Sequence, residues 1–417
     1  MTETSREPRG SDSATAESNS RSPSGRDGLR ADATAGERSR SATGREQLDT
    51  EPAAASGNRH RVVSGGRLGA IARQRRRAAL LALAGAALLA AAMLTGICLG
   101  ENTLSPGRAL NALFLGTGDR ADVLLVGRFR TPRVLSAVIA GAGLAVAGAV
   151  LQRVARNPLA SPDVVGITGG ASLGATAAVA LGLAAPLTPL AALGGGLCAA
   201  TILGLLALQI DGSRAAPRLK GGISPIRLVL VGLAVQAGLT AAVNLFIVRF
   251  PAELASSALH WTTGSLYGRN WNEAIVGASA TAVALIAVFA LHRRAAVLDL
   301  GDDAAGALGV QPGLARLQLL AVAVVLASLA VALTGPVGFV ALAVPHLVRR
   351  LAGPPTAGTL ALNALAGALL LLTADLVAQH ALPFDGLPVG VVTATLGAPC
   401  LLALLARQNR PDPRTAR

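Results

Sequence analysis

Residues 132–153 read PRVLSAVIAGAGLAVAGAVLQR, an apolar run opened by Pro132 and Arg133 and closed by Arg153. At about 1.5 Å per residue, such a run covers the roughly 30 Å hydrocarbon core of a bilayer. Gly141, Gly143 and Gly148 within it are poor helix formers in water. In lipid, however, the hydrophobic effect does not drive helices together, and small residues let backbones approach closely. The stretch predicts a transmembrane helix packed tightly among neighbours.

Outward from it, runs of similar character recur at 79–99, 164–184, 190–210, 228–249, 272–291, 317–334, 359–379 and 389–406, which makes nine spans. A tenth candidate, Pro336–Val348, is too short to cross untilted and is broken by Pro345, so it predicts a short helix buried among the others. The expected fold is all-α and integral to a membrane, with about ten transmembrane helices in one bundle. Composition agrees: the 417 residues are 52% hydrophobic and only 14% charged, too apolar for an ordinary soluble domain.

Charge divides the chain. Residues 1–66 are rich in Ser, Arg, Gly and Glu and poor in large apolar side chains, which predicts a disordered cytoplasmic tail. A basic juxtamembrane segment, 67–78, precedes the transmembrane domain at 79–406, and a second cytoplasmic tail occupies 407–417. Arginines in alternate short loops, such as Arg153 and Arg156, Arg293 and Arg294, and Arg349 and Arg350, place both termini on the cytoplasmic side. Arg128, Arg130 and Arg133 break that pattern by clustering on the outer side.

Several functions are disfavoured. The formal charge of +14 is spread between spans and lacks the aromatic-interleaved basic face of a nucleic-acid binder. Lys220, the one lysine, stands in no phosphate-cradling loop, so the chain does not hydrolyse ATP by a P-loop. Cys98, Cys198 and Cys400 are widely separated and read as apolar packing residues rather than metal ligands. Asp375 and His346 read as helix-end residues satisfied locally, and no nucleophile and base converge. The loop 292–316 is more informative: Gly301 breaks the chain, Asp302 and Asp303 suit a helix start and Gly309 its end. So short a helix is marginal alone and needs something to dock against.

Several of these segments together resemble the FecCD-type permeases, the membrane subunits of bacterial ATP-binding-cassette (ABC) importers for iron-siderophore complexes, haem and vitamin B12. The resemblance rests on RTPR (130–133), AGAGLAVAGAVLQ (140–152), RNPLA (156–160), AAGALG (304–309), GPVGFV (335–340), VPH (344–346), LPVG (387–390) and GAP (397–399), in that order. It implies the type II ABC importer permease architecture. It also implies ABC ATPase subunits below, carrying ATP and Mg, an extracytoplasmic substrate-binding protein above, a second permease subunit alongside, and no cofactor bound by this chain itself.

Residue by residue, the resemblance gives Gly301, Asp302, Asp303, Ala304, Leu308 and Gly309 to the helix that couples to the ATPase. It gives Arg130 and Arg133 to docking of the binding protein; anchoring of a helix at the head groups is the competing role for these two arginines. The segment WTTGSLYGRNW (261–271) is most similar to permeases of the ferric-enterobactin type, which implies a ferric siderophore as cargo, with vitamin B12 or haem as alternatives. An ion-gradient-driven secondary transporter is the alternative that composition alone allows. Two departures from the family pattern matter: Gln379 stands where many members have Arg, and Gly386, beside Asp385, where they have Glu; the lost arginine favours a heterodimer over a homodimer.

Overall fold

A computed structural model describes residues 57–100, 102–207, 225–380 and 386–408. The expected tail up to residue 56, the loop cations Arg214, Arg218 and Lys220, Asp385 and residues 409–417 lie outside the described residues. Among those described, every regular element is helical.

The chain enters through α1 (Gly57–Cys98), which starts ten residues before the expected tail boundary and runs through the basic segment into the apolar run. Two short helices, α2 (Pro106–Phe114) and α3 (Arg120–Leu124), lead by a π-helical turn (Leu125–Arg130) into α4 (Thr131–Val154). There follow α5 (Ile167–Ala180), α6 (Thr188–Ala207), α7 (Pro225–Arg249), α8 (Ala252–Thr262) and α9 (Trp271–Leu298). The last third holds α10 (Asp302–Ala307), α11 (Pro312–Thr334), α12 (Val340–Ala352), α13 (Ala357–His380) and α14 (Val389–Gln408).

Seven stretches are long and apolar enough to cross a membrane: Arg76–Cys98, Arg120–Val154, Thr188–Leu206, Val229–Arg249, Trp271–Leu298, Pro312–Thr334 and Ala357–His380. Ile167–Ala180 and Val389–Pro399 are apolar but shorter, and α12 has 13 residues. Seven of the nine expected long spans are thus present among the described residues, with the shorter apolar helices Ile167–Ala180 and Val389–Pro399 in the places of the other two. The run 164–184 falls short because Gly166 (φ 88°) and Gly182 (φ 64°) turn the backbone left-handed at either end, leaving 14 residues of helix.

Burial ranks the helices. In the span containing α4, 72% of the apolar window is buried, against 11% for α1, so α4 lies at the centre and α1 at the periphery. Around α4 pack α13, α11, α12 and α9, while α5 pairs with α6 and also touches α7 and α8. The central contact depends on absent side chains. A Cβ on Gly141 would lie 2.3 Å from the Gly367 carbonyl oxygen, and one on Gly367 would lie 2.2 Å from that of Gly141. α4 and α13 therefore touch backbone to backbone. Large apolar side chains such as Leu83, Val248, Val283 and Ile286 point outward instead, as expected where the surroundings are lipid.

Candidate functional site

At one end of α4 the chain gathers charge. α9 ends at Leu298, Gly301 turns the backbone at φ 101°, and α10 then runs for six residues before Pro312 opens α11. The Asp302 carboxylate accepts from Arg316 Nη2 at 2.6 Å and from Arg156 Nη2 at 2.8 Å, and Arg153 Nε donates to Asp299 at 2.9 Å. Two acidic groups of the loop are thus clasped by arginines from the end of α4, the turn after it and the first turns of α11. Arg156 sits at φ 47°, a left-handed backbone that costs about 1 kcal/mol. Burial alone would push the Asp302 carboxyl up, but the hydrogen bonds and charges of Arg316 and Arg156 win and hold it below its ordinary value.

The structure brings the expected loop residues together but divides them by role. Asp302 is the clasped group, Ala305 packs with no exposure, and Asp303, Gly306, Ala307 and Leu308 face outward. Leu308 (61% exposed) and Leu300 (65%) bracket this small-residue face with apolar side chains. Such a surface suits a partner's groove.

At the other end of α4, both expected docking arginines are engaged within the chain. Arg130 donates to the carbonyls of Ile97 (2.8 Å), Cys98 (3.0 Å) and Asn102 (2.6 Å), capping the last turn of α1. Arg133 forms a two-pronged pair with Asp375, Nε to Oδ2 at 2.9 Å and Nη2 to Oδ1 at 2.8 Å. Asp375 is 1% exposed and also accepts from Gln379 Nε2 at 2.7 Å. Its principal partner is therefore 242 residues away and not local, which corrects the sequence expectation. Gln379, where the family pattern has a third arginine, supplies a neutral donor. Arg128 remains exposed on the same rim, and the Trp271 indole N–H donates to the Gly127 carbonyl beside it.

One further polar residue, at the loop end of α4, carries no role assigned from the sequence, although it closes the AGAGLAVAGAVLQ segment (140–152). Gln152, 2% exposed in the last turns of α4, donates to the Ala341 and Leu342 carbonyls and accepts from Arg349 Nη2 at 2.7 Å. A polar side chain closing an otherwise apolar span was the available signal.

The FecCD transport family matches residues 88–407. The ferric enterobactin transport system permease protein FepG of Escherichia coli (strain K12) is 40% identical over 316 residues, covering 76% of this chain and 92% of that one. The cobalamin import system permease protein BtuC of Halobacterium salinarum is 37% identical over 295 residues, covering 70% and 76%. A solved metal-chelate type ABC transporter in an inward-facing conformation superposes with a TM-score of 0.67 at 26% identity, covering 78% of this chain and 98% of that one. The chain belongs to the FecCD transport family.

Proposed function

We propose that this chain is the membrane-spanning permease subunit of an ABC importer that carries a ferric siderophore across the bacterial cytoplasmic membrane. The observation that carries this reading is the clasped loop helix: a short helix with an outward small-residue face, held at Asp302 by Arg156 from the turn after α4 and by Arg316 of α11, while Arg153 of α4, the most buried span, holds Asp299 just before it. A push on α10 is delivered to α4 through charge-assisted hydrogen bonds rather than through a loose loop. That is what a subunit driven by a separate ATPase requires. The chain itself is non-catalytic, and ATP and Mg are bound by the partner ATPase subunits.

In this reading the polypeptide crosses with about ten helices, the three shorter elements among them, and both termini are cytoplasmic. Residues 1–66 and 407–417 form tails outside the transmembrane domain. Gly301, Asp302, Asp303, Ala304, Leu308 and Gly309 make up the ATPase-coupling element. A binding protein docks on the opposite rim, where Arg130 and Arg133 fix the ends of α1 and α4 and exposed Arg128 presents the charge that steers encounter. Gln379 in place of an arginine leaves this rim less basic, which favours a second, different permease as partner.

The deciding experiment is uptake of labelled iron from a panel of ferric siderophores, with labelled vitamin B12 in parallel, in a strain lacking the gene and in the complemented strain. Loss of one ferric siderophore, restored by the intact chain and abolished by ATP depletion, is the expected result. Loss of vitamin B12 uptake alone would change the cargo. Uptake that survives ATP depletion but collapses with the ion gradient would overturn the mechanism.

A further inference from the structure

Beside the clasp lies a cavity of about 440 Å³ between the ends of α4, α9, α12 and α13, within the size range of small-molecule sites. Three guanidinium groups line it, those of Arg153, Arg156 and Arg349, against one carboxylate, Asp299. Arg153 and Arg156 are committed to Asp299 and Asp302. Arg349 is different. Its hydrogen bond goes to a neutral amide, Gln152, and it forms no ion pair among the described residues. A half-buried cation with no counter-charge is costly.

Two further observations point to a missing occupant. Asn363 is 5% exposed and lines the cavity; its amide N–H bonds the Thr359 carbonyl at 2.7 Å, but its Oδ1 has no partner. His292 lines the cavity as well, and its Nδ1 is likewise buried without a partner. The 24-residue α13 also begins here, with Pro355, Thr359 and Leu360 on the wall, so the positive end of its dipole adds to the field.

We propose that this cavity is a binding site for a phosphate group, carried by a phospholipid of the adjoining leaflet or by a soluble phosphate compound, with Arg349 as its principal cation. A phosphate supplies the charge that Arg349 lacks and oxygens that accept from its guanidinium and from the His292 ring N–H. A P–OH or a bridging water donates to Asn363 Oδ1. The arginine fork suits this anion better than a lysine would.

The test uses the purified full-length chain and three variants. Arg349→Gln removes the cation. Asn363→Asp keeps the side-chain shape and places a negative charge where the anion sits. Arg350→Gln, at the neighbouring arginine that does not line this cavity, is the control. Binding is read by native mass spectrometry after exposure to phosphatidylglycerol or to a phosphate-free glycolipid, and by thermal shift with inorganic phosphate. Selective retention of phosphatidylglycerol by the wild type and R350Q, weakened about tenfold or more in R349Q and N363D, supports the site with a lipid occupant. Stabilisation by inorganic phosphate with the same variant pattern, and no preference for phosphatidylglycerol, supports it with a soluble occupant. If neither probe separates the wild type from N363D and R349Q, the proposal is overturned. Should R349Q fail to fold, the isosteric N363D decides. Iron uptake plays no part in the readout, so the site and the transport function fail independently.

Discussion

The Arg133–Asp375 pair shows how the sequence can mark a residue as special while leaving its partner hidden. In the sequence, Arg133 breaks the charge asymmetry of the loops, which marks it as special; nothing in the sequence reveals a carboxylate partner 242 residues later. With Asp375 1% exposed and Arg133 only 21%, desolvation dominates. Removing one partner strands a buried charge: Arg133→Met alone should destabilise by about 3 kcal/mol, while Arg133→Met with Asp375→Leu should recover most of that. Thermal unfolding of the purified proteins checks this, and equal losses in the single and double variants would count against it. Arg128, exposed nearby, should behave oppositely. Arg128→Glu should leave the melting temperature unchanged and slow association with the binding protein, most clearly at low salt.

Among the elements, the loop helix was the most legible part of the site, because Gly301, the paired aspartates and Gly309 are local signals for starting and stopping a helix. Its anchoring was not legible. Arg153 and Arg156 looked like topology markers, and only the fold brings them to Asp299 and Asp302. The same limit explains the shortened α5: the apolar run is visible in the sequence, but the left-handed turn at Gly166 stands where the chain packs against Gly232 and Val235 of α7, far along the sequence. Long spans were readable because apolar length alone defines them; α8 was missed because its 11 residues carry no such signature. The two aspartates at the start of α10 should now separate. Asp302→Asn should weaken coupling of ATP hydrolysis to transport by loosening the clasp, whereas Asp303→Asn should keep the helix in place and alter only its docking face. Because the Asp302 carboxyl lies below its ordinary value in the folded chain, the clasp contributes fully above that ordinary value. It is lost only as pH falls through the depressed one. Coupling ratios in proteoliposomes should therefore be flat from neutral pH down to about pH 5. A loss near neutrality would mean that a different group controls the loop.

For the whole molecule, α4 is the member that both ends share. Its first turn carries Arg133, its last turns carry Gln152 and Arg153, and between them it is packed on α13 with no side chain intervening at Gly141 and Gly367. A helix held at both ends and seated backbone to backbone moves as a rod, so a displacement of the loop helix is conveyed along its length rather than absorbed. Such rigid transmission depends on the seat, and the seat can be tested without touching either end. Gly141→Ala places a Cβ 2.3 Å from the Gly367 carbonyl oxygen, a contact backbone atoms cannot relieve by rotamer change. Gly143→Ala, two residues on, meets its nearest atom, the Leu326 carbonyl oxygen, at 3.4 Å, an ordinary contact. Gly141→Ala should therefore cost about 1–3 kcal/mol and depress transport even with the ATPase and binding protein present, while Gly143→Ala should be close to neutral in both. Unfolding measurements and uptake assays on the two variants read this directly. If they prove indistinguishable, α4 is not seated as a rod, and coupling between the two faces must run through α11 or α13 instead.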